Sequence, residues 1–125
     1  MSKRIIHTEN APKAIGPYSQ AVEINGFLYI SGQIPVNPIS GQIPEGIEAQ
    51  TEQVMKNIEA ILQEAGYTFS DVVKSTCLLS DIANFKAMNE IYAKYYASEC
   101  PARAAFAGKD LPLGVLVEIE TIAGK

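Results

Sequence analysis

An Asn-Gly pair at positions 25 and 26 constrains this chain more than any other feature. Both residue types accept positive φ, which a two-residue type I′ turn requires at each of its central positions. Ala21-Val22-Glu23-Ile24 precedes the pair and Phe27-Leu28-Tyr29-Ile30 follows it, two short runs suited to strands. The segment is read as an antiparallel hairpin.

Beyond the hairpin, residues 33–46 hold Pro35, Pro38 and Pro44 and show neither a helical nor a strand period, so a long ordered loop is expected. From Ile47 the pattern changes. Ile47, Thr51, Val54, Ile58, Ile61, Leu62 and Ala65 recur at three and four, with Glu48, Glu52, Lys56, Glu59 and Gln63 opposite, and Gly66 stops the run. This predicts an amphipathic helix from Ile47 to Gly66. Asp71 to Asp81 is rich in β-branched residues and too short for a typical helix, which predicts a strand. A second helix follows, with Asn84 as its N-cap, Phe85, Met88, Tyr92, Tyr95 and Tyr96 on one side, and an end near Cys100 imposed by Pro101. Two more strands are predicted at about Arg103–Ala107 and Val115–Ala123, separated by a turn region from Gly108 to Gly114.

In this order each helix links two strands, and right-handed crossovers place both helices on one face of a single mixed sheet. The other face is left uncovered. On the last strand, alternation sets Val117, Ile119 and Thr121 on one side and Leu116, Glu118, Glu120 and Ile122 on the other. The second side is too apolar for water and too charged for a dry core, which suggests a subunit interface that contains a polar site.

Composition narrows the function. Over 125 residues, 47% are apolar and 19% charged, enough to bury one core and to exclude intrinsic disorder, and one domain over residues 1–125 is expected. The formal charge is −4 and no basic run exceeds Lys3-Arg4, which argues against a nucleic-acid partner. No 18-residue apolar stretch occurs, so no membrane span is expected. The start, MSKRIIHTEN, carries no apolar signal segment, and a cytosolic location is expected. Cys77, Cys100 and the single His7 have no metal-ligand spacing, and the two cysteines read as reduced structural residues.

Two local patterns have competing explanations. Glu118 and Glu120 share a strand face with Cα atoms about 6.7 Å apart, fit for an acid–base pair or for a solvated edge. Arg103 precedes Ala104-Ala105-Phe106-Ala107, a segment of little bulk that would let a ligand approach backbone N–H groups, and an arginine fork binds carboxylates bidentately. A surface salt bridge explains it as well. No nucleophile elbow, P-loop or dinucleotide-binding glycine pattern is present.

Together, Ala14-Ile15-Gly16-Pro17-Tyr18-Ser19-Gln20, Ser31-Gly32-Gln33-Ile34-Pro35, Pro101-Ala102-Arg103 and Val117-Glu118-Ile119-Glu120 carry a resemblance. In order and spacing they resemble the Rid family, the reactive intermediate deaminases once called the YjgF family, from the first strand to the last. The resemblance implies a chorismate-mutase-like α+β fold, a homotrimer with helices outside and clefts between subunits. It also implies cofactor-independent hydrolysis of 2-imino and 2-enamino acids such as 2-aminoacrylate to 2-keto acids and ammonia, as in 2-iminobutanoate/2-iminopropanoate deaminases. Carried over by position, Arg103 would hold the substrate carboxylate, Glu118 would position the attacking water, and Tyr18, Ser31, Gly32 and Asn89 would line the cleft. Arg103 nearby would keep Glu118 ionised. The family commonly has Ser-Cys after the arginine where this chain has Ala104-Ala105, which leaves the backbone N–H of Ala105 as the remaining donor there. Two other functions stay open at this level: a sensor that binds 2-keto acids without turnover, and a ribonuclease or translation inhibitor.

Overall fold

The computed structural model describes residues 2–125. Eight elements follow one another: β1 (Arg4–Ile6), β2 (Ala21–Ile24), β3 (Phe27–Gln33), α1 (Ile47–Ala65), β4 (Val72–Leu79), α2 (Phe85–Tyr92), β5 (Ala102–Ala107) and β6 (Val117–Gly124). The strands form one six-stranded mixed sheet in the order β1-β2-β3-β6-β4-β5, with only the β4–β5 pair parallel. Among the described residues no helix is long and apolar enough to cross a membrane.

The hairpin turns where the Asn-Gly pair sits: φ is 54° at Asn25 and 79° at Gly26. The helix α1 has the predicted limits, and Gly66 in the left-handed conformation donates its N–H back to Gln63 and Leu62. The Nζ of Lys125 donates to the Gly66 carbonyl at 2.6 Å, so the chain's end closes the helix C-terminus. The crossover through α1 connects β3 to β4, which run parallel with the last strand, β6, inserted between them.

Alternation along β6 follows expectation. Val117, Ile119, Thr121 and Ala123 are buried beneath the helices with Leu28, Cys77 and Leu79, against Val54, Ile58 and Leu62 of α1 and Met88 of α2. The opposite face carries Phe27, Tyr29 and Phe106, all substantially exposed.

The second helix departs from its predicted form. It ends at Tyr92, and Ala93–Tyr95 tightens into a 3₁₀ turn well before Pro101. Tyr95 and Tyr96 pack against Phe69, tilted and edge-on, with ring centroids at 5.1 and 5.6 Å, and Tyr96 keeps its contact with Tyr92 at 4.8 Å. At its start, Asn84 caps nothing with its side chain. Asp81 performs that role one turn earlier, accepting from the Ala83 N–H at 2.9 Å.

The loop 34–46 is held by amide side chains of α1. Asn57, fully buried, donates to the carbonyls of Ile34 and Val36, each at 3.1 Å, and Gln50 donates to the Pro44 carbonyl while accepting from the Leu116 N–H. These amides pin the loop beside the start of β6.

Candidate functional site

The site begins with an irregularity in the sheet. Between β3 and β6 the register runs Ile30↔Thr121 and then Gln33↔Ile119, so Ser31 and Gly32 together face Glu120. Such a bulge bends a strand and re-aims its side chains. The Ser31 hydroxyl donates to the Ser19 carbonyl at 2.6 Å, and its N–H donates to the Gln20 carbonyl at 3.0 Å. Gln20, itself buried, donates to the carbonyls of Thr8, Ala11 and Pro12. These bonds fix the 14–20 segment against the bulge and bring Tyr18 to the mouth of a cavity of about 430 Å³.

That cavity gathers Tyr18, Ser31, Gly32, Glu118 and Glu120, together with Ile34 and Pro112. Glu118 is half-buried, and burial followed by the charge of Glu120 raises its carboxyl above the ordinary range. Its carboxylate lies against Gly32: a Cβ at that position would overlap the carboxylate oxygen and stand 3.1 Å from Cδ. Glycine here makes room for the acid. A half-buried carboxylate with raised proton affinity suits a group that both takes and returns a proton.

Arg103 and Asn89 lie elsewhere. Arg103 pairs across the sheet with Ser75, which pairs with Thr121, and cross-strand partners share a face. Both partners are buried under the helices, so Arg103 emerges on the helix side. Its Nη1 donates to Asn89 Oδ1 at 2.6 Å, and the guanidinium stands over the rings of Tyr92 and Phe85 at 5.0 and 5.4 Å. A second cavity of about 370 Å³ opens there, lined by Asn89, Tyr92, Tyr96, Cys100, Pro101 and Arg103. Burial raises the phenol of Tyr92, which keeps it a neutral O–H donor. Glu118 pairs with Leu78 on the opposite face, two strands over and three residues along from the Arg103 row, about 14 Å between Cα atoms by strand spacing and rise.

Within one chain, therefore, the expected guard of Glu118 by Arg103 is absent. The sheet separates the two. Ala105 sits on β5 opposite Cys77, on the Arg103 side, and burial pushes the Cys77 thiol up to about 11, which leaves it unreactive. His7 contacts Glu9 at 3.2 Å, on the exposed surface and outside both cavities.

The bulge, Pro112 and the placement of the Phe85 and Tyr92 rings beneath Arg103 were not singled out in the sequence. A glycine inside a strand run is the signal that marks such a bulge. Ile34 follows β3 directly, whereas Pro112, in the turn before β6, comes to the cavity through the pairing of β6 with β3.

The chain is similar to known proteins over nearly its whole length. A protein-family model described as endoribonuclease L-PSP matches residues 8–125. A RutC family protein of Pyrococcus horikoshii is 53% identical over 124 residues, covering 98% of each chain. A 2-iminobutanoate/2-iminopropanoate deaminase of Capra hircus is 51% identical over 122 residues, 97% of this chain and 89% of that one. Among solved structures, YyfA of Yersinia pestis, described as a protein of unknown function of the conserved Rid family, superposes with a TM-score of 0.96 at 52% identity, covering 99% of this chain and 100% of that one.

Proposed function

The chain belongs to the Rid family, and from that premise we propose that it hydrolyses 2-imino acids, and enamine tautomers such as 2-aminoacrylate, to 2-keto acids and ammonia. Relatives bearing deaminase names are about half identical over nearly the whole chain. The observation that carries the proposal is the Glu118 carboxylate, half-buried against Gly32 in a cavity of substrate size, where burial raises its proton affinity.

The site is completed between copies. Arg103 sits on the edge strand β5, exposed, with its fork turned to the helix side, while Glu118 lies on the uncovered face. Packing the edge of one copy onto the open face of the next brings the two together, and three such head-to-tail contacts close a ring. Arg103 of one copy then pairs with the substrate carboxylate, Asn89 orients the arginine, and Glu118 of the next copy faces C2.

Chemistry proceeds by two proton round trips. Glu118 takes a proton from water as the water oxygen bonds to C2, and returns it to the imine nitrogen, giving a carbinolamine. It then takes the carbinolamine hydroxyl proton and passes it to nitrogen as C2=O forms and the C2–N bond breaks, releasing ammonia. An enamine first becomes the imine by tautomerisation: C3 takes a proton from water, the nitrogen gives one back to water, and the double bond moves from C2=C3 to C2=N. Holding water and imine together supplies several kcal/mol of barrier lowering, and the proton transfers about 10²–10⁴-fold in rate. Both cysteines are free thiols, as suits a cytosolic protein.

Two carboxylates in the cavity of a chain of formal charge −4 repel a phosphodiester, which disfavours RNA as substrate. Ammonia and 2-keto acid release from freshly generated 2-aminoacrylate is the test. The expected result is a rate well above the protein-free one, retained after chelator treatment, with Arg103→Ala and Arg103→Lys folded and at least about tenfold lower in kcat/KM. Hydrolysis at the protein-free rate with 2-keto acid still bound would instead establish a sensor.

A further inference from the structure

We propose that the chain is built for imino acids with an extended aliphatic side chain, and that Leu113 is the residue that sets this preference. The proposal rests on the imine-hydrolase reading and goes beyond it by naming the substrate's side chain. A groove of about 460 Å³ adjoins the Glu118 cavity and shares Tyr18, Gly32, Ile34 and Pro112 with it, so a molecule bound by its C2 carbon at Glu118 has one continuous path outward.

The groove offers hydrocarbon. Ile34 and Val36 line it, with Ile15 contributed by the 14–20 segment and Leu113 by the turn before β6. Its amide side chains are partly committed: the Gln20 Nε2 to three backbone carbonyls, the Gln33 Nε2 to the Ser31 carbonyl, and the Asn37 Oδ1 to the N–H groups of Ile39 and Ser40. Lys13 also borders the groove as an exposed side chain. Ile15, Ile34, Val36 and Leu113 give an aliphatic side chain an apolar lining, and each methylene buried there favours binding by about fourfold.

Leu113 stands out on two independent grounds. It is 74% exposed, and Ile15 is 86% exposed, so neither is held in place by the core. Leu113 also has φ 57° and ψ 18°, the left-handed conformation that a β-carbon makes unfavourable and that glycine adopts freely. Single exposed apolar residues need no explanation. Two in one groove, one of them in a strained backbone beside a catalytic cavity, fit a lip that closes over the substrate's side chain.

The experiment compares 2-imino acids generated in situ by an amino-acid oxidase, with catalase present, from leucine and from alanine. Wild type is expected to favour the leucine-derived imine by tenfold or more in kcat/KM. Leu113→Ala and Ile15→Ala should each cut that ratio at least fivefold, chiefly through the leucine-derived imine, with the alanine-derived rate kept. Leu113→Gly, which relieves the left-handed strain, guards against misfolding and should behave as Leu113→Ala does. A wild-type ratio near one, or a ratio unmoved by all three variants, overturns the proposal. If neither imine is accelerated, the hydrolase reading has failed, and the groove is judged by calorimetry with 4-methyl-2-oxopentanoate and pyruvate. A tenfold tighter fit for the first, lost in Leu113→Gly, supports it; equal affinities or no binding of either overturn it.

Discussion

The carboxylate of Glu118 occupies the space that a β-carbon at position 32 would fill, and the proposed chemistry places its reacting group there. In Gly32→Ala the added methyl displaces the end of a flexible side chain and leaves the backbone alone. We expect a protein that melts within a few degrees of wild type and loses at least about tenfold in kcat/KM, since a small displacement of a reacting group is costly; near-normal turnover would place the reaction elsewhere. Glu118 makes a second, pH-dependent prediction. Its folded carboxyl is raised above its unfolded value, so the folded state binds the proton more tightly and stability falls as pH rises through the carboxylate range. Glu118→Gln removes that penalty, and the melting-temperature gain of the variant over wild type should widen from pH 4 to pH 7. A constant difference would mean that the carboxyl is not desolvated. At this scale Ser31, Gly32 and Glu118 were visible in the sequence only through the resemblance that four motifs carry together, since no one of them is specific alone. The bulge that aims them was not, because it exists only once β3 has paired with a strand some 90 residues later.

Whether an element could be read from the sequence depended on how local its determinants are. The limits of α1 were legible because the periodicity and the stop at Gly66 lie within the segment itself. The end of α2 was not, since Tyr95 and Tyr96 lie beyond it with their rings packed against Phe69, a contact from outside the segment. Asn57 presents the same contrast. Its spacing fits the buried face of α1, yet its task is to satisfy the Ile34 and Val36 carbonyls of a loop more than twenty residues earlier. Asn57→Leu leaves both without their donor in a buried setting, at a cost of about 1–3 kcal/mol. The expected outcome is a lower melting temperature together with faster amide exchange in residues 34–46 while β4 and β6 stay protected. Exchange that rises uniformly would mean that the amide stabilises the fold at large and does not pin the loop.

For the whole molecule, the sheet has one covered face and one that exposes Phe27, Tyr29 and Phe106, and it separates Arg103 from Glu118. A chain with two helices on one side of its sheet can protect the other only with a copy of itself or a partner, and that deficit was already present in the alternation of β6. The order in which the strands assemble was not, because the insertion of the last strand between β3 and β4 follows from no local signal. If each site takes Arg103 from one copy and Glu118 from the next, two inactive variants should rescue each other. Arg103→Ala and Glu118→Gln, unfolded together and reassembled at equal amounts, regain an intact pair only where a Glu118→Gln copy supplies the arginine and an Arg103→Ala copy the carboxylate. Random assembly of a ring yields that arrangement in roughly a quarter of the sites. Activity near a quarter of wild type from the mixture, with each variant alone nearly inactive and light scattering giving the mass of three chains, is the expected outcome. A mixture no more active than its parts would place both groups in the same copy or remove one of them from the reaction. Tyr29→Arg, at the middle of the exposed face, separates those cases: it should yield monomers inactive even with Arg103 and Glu118 intact, because neither cavity alone holds both charges that the reaction needs.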